Sequence, residues 1–420
     1  MLNYTKILHK FNKSLTLTVS GMLFAAGATA EAEGPKVAAP ESSTAGIQLP
    51  EVPFDLPEPA ADGNVYINNT YGRPVPLTLN GRLQEYLTGF TKSRNNPIAA
   101  LVVVEVATGR ILAIAQGRHP DDWGATSHSA LHNGFPAASL FKTVVTAAAL
   151  EIADVDENEA TGLSGGCSKV GESGTWMKES VPGKRNLISL TRAFGKSCNG
   201  YFAKIGVNQV GLGPIMNFAH RFGWGKQLSK DFYMDPSPFK APPPETSSAY
   251  SVGRFAAGFG NVGISAIHAA WLMMALANDG IAKPLVLYQD TKVEAPANPE
   301  ENRLVSVETA RRLRSIMNAT VRGGTASSAF KQRKFRDFKE TVGGKTGTLT
   351  GHDPQGLTTW FTGMMPLENP EIVVAAVVIL GGDKWFIKGP SLAAEAFWAY
   401  HDLKRGKQLS AIKQRAETLP

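Results

Sequence analysis

The chain has 420 residues, of which 43% are hydrophobic and 19% charged, with 42 Gly and 26 Pro. That apolar fraction excludes wholesale disorder, the Gly and Pro follow no triplet period, and past residue 30 no apolar run approaches the ~20 residues that span a bilayer. The net charge of +7 falls to +4 once Lys6, Lys10 and Lys13 are set aside, and the basic stretch 331–339 reads as a solvated face, so no nucleic acid is expected as a partner.

In chain order, those three lysines precede an apolar stretch over 15–26 and then Ala28-Thr29-Ala30. The pattern predicts a signal peptide over 1–30, cleaved after Ala30, with an uncleaved membrane anchor as the alternative. A periplasmic or otherwise extracytoplasmic location follows. Residues 31–62 are rich in Pro, Ala and acids and read as an extended linker. A globular domain is expected over 63–405 and a polar tail over 406–420. Within the domain the patterning predicts a helix at 77–91, a β-hairpin over 98–116 and a helix at 139–152, where Phe141, Val144, Val145, Ala148 and Ile152 share one face. Helical signals recur at 189–194, 200–210, 215–222, 265–277 and 306–321, with Ser306 as the N-cap of the last. The Pro-rich stretch 235–245 reads as loop. Strands return at 341–350, 358–365 and 372–380, before a closing helix at 390–403. Strands near both ends with helices between imply an α/β fold: one sheet built from both ends of the domain, with a helical insert.

Cofactor motifs are missing from the sequence. His128 and His132 are four apart, but no carboxylate lies near them, there is no H-E-x-x-H, and no metal is expected. Neither a G-x-S-x-G elbow nor a phosphate-binding loop occurs. The chemistry therefore falls to side chains. Ser139-Leu140-Phe141-Lys142 is an S-x-x-K tetrad at the start of an apolar helix, where i and i+3 share a face and the amine can reach the hydroxyl. A Lys amine depressed by burial and like charge can then take that proton. Three other tetrads, at Ser237, Ser328 and Ser410, lead into prolines, a charged stretch and the tail. Taken alone, any of the four reads as an ordinary helix cap or loop. Two further motifs single out the first: Ser197-Cys198-Asn199, 58 residues on, and Lys345-Thr346-Gly347-Thr348, on a predicted strand.

The ordered set S-x-x-K, S-x-N, K-T-G resembles the penicillin-binding protein transpeptidases, within the wider family of serine penicillin-recognising enzymes. The likeness covers roughly residues 64–400 and extends to the hairpin 100–116, the stretch 258–280, Gly324-Thr325-Ala326 and Trp360-Phe361-Thr362-Gly363. It departs at Ala137-Ala138, where many transpeptidases have Pro-Gly before the serine, and at 264–268, where T-P-x-Q is usual.

The resemblance implies an antiparallel sheet flanked by helices, a mostly helical subdomain, and a site between them. It implies Ser139 as nucleophile, Lys142 as neutral general base and Ser197 as proton relay. Asn199 would orient Lys142 and the substrate amide. Lys345, expected to stay charged, would give a positive field for the substrate carboxylate, which Thr346 and Thr348 would hydrogen-bond, on the strand that Gly347 shares. The backbone N–H groups of Ser139 and Thr348 would form the oxyanion hole. The implied activity is D,D-transpeptidation, or D,D-carboxypeptidation, of D-Ala-D-Ala stem peptides of peptidoglycan, without cofactor. Implied partners are stem peptides, β-lactam antibiotics and cell-wall assembly proteins. Two alternatives stand beside it: a class D-like β-lactamase, a class that usually has a hydrophobic residue where Asn199 stands, and a non-catalytic β-lactam or muropeptide binder. Cys167 and Cys198 either form a disulfide, as an even count in an exported chain favours, or Cys198 is a small buried side chain without a partner.

Overall fold

A computed structural model of the chain describes residues 52–409, apart from 70, 95, 97, 119–129, 132–133, 169, 179–186, 292–297, 353–354, 381–386 and 408. The expected signal peptide, residues 31–51 of the expected linker, His128, His132 and the tail from residue 410 lie outside the described residues. Residues 52–62 belong to the segment read as a linker, yet they lie against the domain. Val52 is buried, the Gln116 amide donates to Phe54 O at 3.1 Å, and Leu56 packs on the core. Composition alone hides this, because a few apolar side chains and borrowed contacts, Lys92 Nζ to Asp55 Oδ1 at 3.0 Å among them, can seat a Pro-rich segment.

Five strands form one antiparallel sheet: β1 (Ile98–Glu105), β2 (Ile111–Arg118), β3 (Gly343–His352), β4 (Gln355–Met365) and β5 (Ile372–Leu380), in the order β2-β1-β5-β4-β3. The sheet does join the two ends of the domain, as expected: β5 pairs with β1 from Ile372↔Glu105 to Ile379↔Ile98. Both faces are covered, which is why β1 and β5 read as unbroken apolar runs rather than alternating ones. Leu101, Val103, Val374 and Val378 face α1 (Gly81–Lys92) and α9 (Gly389–Lys404) in one core. Val102, Val104, Val373 and Val377 belong to a second core, with α2 (Lys142–Ile152), α7 (Ala266–Ala277) and α8 (Val307–Arg322). Every residue of α7 is buried, so this helix is apolar all round and lacks the stripe of a surface helix.

The helical insert carries α3 (Leu190–Gly195), α4 (Asn199–Ile205), α5 (Leu212–Arg221) and α6 (Ala249–Ala256). Start signals explain most boundaries. The Ser306 side chain accepts from Thr309 N–H and caps α8, as the sequence suggests. The first helix begins at Gly81, four residues later than its pattern, because Asn80 caps it by accepting from Leu83 N–H while Leu77 stays extended, its N–H on Val65 O. Helix α6 has no long apolar period; the reciprocal Ser248–Ser251 capping box starts it. The stretch 235–245 is not all loop: Phe239–Lys240 pairs with Asn261–Val262. Ile152, assigned to the buried face of its helix, is 51% exposed at the last turn.

Candidate active site

Ser139 lies on a 3-10 turn, Ala138–Phe141, that runs directly into α2. Three anchors hold the turn. Phe141 packs against Trp224 and Phe255, with ring centroids 5.5 and 5.0 Å away. The Trp360 indole on β4 donates to Pro136 O at 2.9 Å. On β3, Gly347 passes so close that a Cβ there would stand 3.1 Å from Ala137 O. The lack of a side chain at Gly347 thus lets the K-T-G strand approach the nucleophile turn. Ala138 adopts φ +48°, a region that disfavours any residue with a Cβ. The sequence departure from Pro-Gly therefore leaves an alanine in a position suited to glycine. Gly258, at φ +88°, fits beneath it, since a Cβ there would lie 2.2 Å from Ala138 O.

The three motifs meet. Lys142 Nζ is 2.7 Å from Ser139 Oγ, 2.6 Å from Asn199 Oδ1 and 3.3 Å from Ser197 Oγ. Lys345 Nζ donates to Ser197 Oγ at 2.9 Å and to Thr346 O at 3.0 Å. Both lysines have no exposed surface. The Phe202 ring lies 5.7 Å from the Lys142 amine and the Phe194 ring 5.4 Å from that of Lys345, which removes water and offers only a weak cation–π return. Burial first, and the Lys345 charge second, hold Lys142 well below the usual lysine range. Burial also pushes Lys345 down, to about 7. Desolvation thus acts on both amines, whereas the sequence leads one to expect it chiefly on Lys142. A neutral Lys142 has a lone pair for the Ser139 proton and N–H donors for Asn199 Oδ1, which is what a base at this position needs.

The S-x-N motif is held from behind by a disulfide, Cys167–Cys198, which decides the open question about the two cysteines. Cys167 O accepts from Gly200 N–H at 3.1 Å, so the segment around Cys167 lies along the start of α4. Ser197 itself sits at φ +54°, at the end of α3, and this kink turns its hydroxyl between the two amines. The positive φ is a strained choice for serine, worth roughly 1 kcal/mol or more, which the bridge and the α3–α4 packing override.

Ser139, Ser197, Asn199, Thr346 and Thr348, among others, line a cleft of about 300 Å³; Lys142, Lys345 and Gly347 are not part of its lining. Ser139 and Thr348, the expected oxyanion pair, both face it. Thr359 and Lys388, which also line it, carry no signal in the sequence, and Phe259 and Thr325 stand out there only as parts of the stretch 258–280 and of G-T-A. Nothing in their local spacing marks them, because loops and strand ends distant in sequence bring them in. Among the described residues none of the lining side chains is acidic. Of the other tetrads, Ser237 is buried and bonded to His268 Nδ1 at 2.7 Å rather than to a lysine amine. His268 is a core residue, kept neutral by burial with its pKa near 4. A larger concavity of about 1430 Å³ lies at the opposite end of the sheet, by Glu105 and Glu371. Its charges are largely paired, Asp279 with Arg311 and Arg314, Glu371 with Lys404, and none of the motif residues lines it.

Comparison with known proteins agrees with this geometry. Peptidoglycan D,D-transpeptidase PbpA of Mycolicibacterium smegmatis is 25% identical over 336 residues, 70% of this chain and 64% of that protein, so the match stops short of two thirds of the relative's length. In fold, the chain is similar to the D,D-transpeptidase domain of a peptidoglycan glycosyltransferase from Eggerthella lenta (TM-score 0.61, 22% identity, 81% of this chain and 96% of that one). It is also similar to penicillin-binding protein A of M. tuberculosis, solved as an imipenem acyl-enzyme (TM-score 0.60, 22% identity, 78% and 79%). The family profile described as penicillin binding protein transpeptidase domain matches residues 99–394, a span that takes in every motif residue from Ser139 to Thr348. On that match, the chain belongs to the penicillin-binding protein transpeptidase domain family.

Proposed function

We propose that the protein is a peptidoglycan D,D-transpeptidase that works through an acyl-serine. The observation that carries this reading is the Lys142 amine, depressed by burial and 2.7 Å from Ser139 Oγ at the floor of the cleft. Ser139 Oγ attacks the carbonyl carbon of the penultimate D-Ala of a stem peptide, and its proton passes to Lys142 Nζ. The N–H groups of Ser139 and Thr348 take the oxyanion. As the C–N bond breaks, the leaving amine of the terminal D-Ala takes the Ser197 hydroxyl proton, which Lys142 replaces; Ser197 Oγ stands 3.3 Å from Lys142 Nζ and suits that relay. Thr346 and Thr348 hydrogen-bond the terminal carboxylate, and Lys345, buried behind Thr346, supplies a positive field in a cleft whose described lining side chains include no acid. That carboxylate also favours charged Lys345 and so reverses part of the effect of burial. An acceptor amine from a second stem peptide then attacks the ester, and Ser139 recovers its proton.

A β-lactam amide opens by the same attack, but its amine stays tethered to the acyl group, so the ester persists. Asn199 at 2.6 Å from Lys142 supports this reading over a class D-like β-lactamase. The signal pattern over 1–30 and the cell-wall enzymes among the relatives support work outside the cytoplasm, with stem peptides and cell-wall assembly proteins as partners. The test is D-Ala release from a pentapeptide, with and without an acceptor amine. Release accompanied by a cross-linked product supports transpeptidation. Labelling by penicillin with no D-Ala release under either condition would instead indicate a binding protein.

A further inference from the structure

Thr325 stands at the mouth of the cleft, exposed, on the loop that follows α8. Two glycines explain how it gets there. A Cβ on Gly195, at the end of α3, would stand 2.9 Å from Ala319 of α8, so these helices touch through backbone. Gly324 is tighter still: its Cβ would meet Gly195 O at 2.2 Å. The loop is therefore drawn onto the end of α3, two residues before Ser197. There Thr325 N–H donates to Gly195 O at 3.0 Å. Its hydroxyl reaches the other way, into hydrogen-bond contact with Thr346 Oγ1 on β3. Thr325 thus ties the helical side of the cleft to the strand side.

The direction of that hydroxyl pair matters. Thr346 can donate to a carboxylate in the cleft only if its hydrogen is not given to Thr325. Gly195 O already has a backbone donor at 3.0 Å, and the Thr325 hydroxyl lies farther from it, at 3.4 Å. The better acceptor for the Thr325 hydrogen is Thr346 Oγ1, which leaves the Thr346 hydrogen for the ligand. Two hydroxyls in series that end on an anion polarise one another in the favourable sense.

We propose that Thr325 is a positioning residue for substrate capture: its hydroxyl donates to Thr346, and so aims the Thr346 hydroxyl at the terminal carboxylate of the donor peptide. This rests on the transpeptidase reading above. The two can be tested separately with an N-acyl-D-alanyl thioester of thioglycolic acid and the methyl ester of the same compound. Acylation kcat/KM is measured for both donors with the wild-type protein, Thr325→Val and Thr325→Ser. The expected result is that the Val variant lowers the carboxylate-to-ester ratio about five- to tenfold, through KM more than kcat, and that Ser restores it. A merely structural role would depress both donors together and leave the ratio unmoved, which would overturn the inference while the transpeptidase reading stood. A wild-type protein acylated by neither donor would overturn that reading, and this inference with it.

Discussion

Ser197 Oγ lies between two buried lysine amines, 2.9 Å from Lys345 and 3.3 Å from Lys142. The two lysines come from opposite sides of the cleft, one on the sheet and one on the helix that begins at the nucleophile turn. Their proximity disfavours charge on both at once, and burial disfavours charge on either. Lys142, one turn from the nucleophile, takes the neutral role, and Lys345 the charged one.

Arginine replacements separate these roles. Guanidinium stays protonated at any working pH, so Lys142→Arg should slow acylation by fluorescent penicillin about 10²–10⁴-fold, the usual worth of a positioned base. Lys345→Arg keeps the charge and should lose about tenfold, mostly from fitting a larger group at a fully buried site. Stopped-flow labelling rates check this; the reverse ranking would exchange the roles.

The pH dependence follows with a definite sign. Acylation needs Lys142 neutral, which rising pH favours, and Lys345 charged, which rising pH removes. With Lys345 near 7 in the free protein, kcat/KM for a carboxylate-bearing donor should fall on the alkaline side of about pH 7. The alkaline limb of kcat should lie higher, because the bound carboxylate favours the charged amine. In Lys345→Arg the alkaline limb of kcat/KM should leave the range below pH 9. A limb that stays near 7 in that variant would assign it to another group.

The disulfide should support both stability and the site. In the chain-entropy account, closing a loop with Cys167 and Cys198 31 residues apart stabilises by ~4 kcal/mol. Cys167→Ser should lower the thermal midpoint by roughly 5–10 °C. It should also slow acylation, since Ser197 and Asn199 flank Cys198. Differential scanning calorimetry and penicillin labelling, each with and without a dithiol reductant, check both effects. A dithiol should reproduce the Cys167→Ser result in the wild type and add nothing in the variant.

Ala138 offers a gain. At φ +48° glycine has no steric penalty, and relief of that strain exceeds the extra freedom glycine gives the unfolded chain. Ala138→Gly should raise stability by up to ~1 kcal/mol and leave penicillin labelling intact. Chemical denaturation measures it; a loss of stability would mean that the alanine methyl makes a contact worth more than the strain.

The sequence order of the motifs made the core of the site legible, because each carries its chemistry within four residues of local structure. Ser139 and Lys142 share a helical face, and Lys345 to Thr348 share one strand, so spacing alone relates them. The apolar runs of β1 and β5 likewise announce a sheet buried on both faces. What spacing could not supply is the crossing of α3 and α8 at Gly195 and Ala319, which brings Thr325 to Thr346 across 21 residues. Nor could it give the burial of Lys345, which depends on Phe194 from another motif's neighbourhood. The capping box of α6 uses Ser251 in place of the usual Glu or Gln, and its helix is too short to show a period. Cysteine count left the pairing open, and only the approach of the 167 segment to α4 closes it.

If Ser139 is the acylated residue, peptide mapping of the penicillin adduct will show it. The adduct should map to the peptide holding Ser139, Ser139→Ala should abolish labelling, and Ser237→Ala, Ser328→Ala and Ser410→Ala should retain it. Undiminished labelling of the Ser139→Ala protein, or an adduct on any other serine of the wild type, would contradict that assignment.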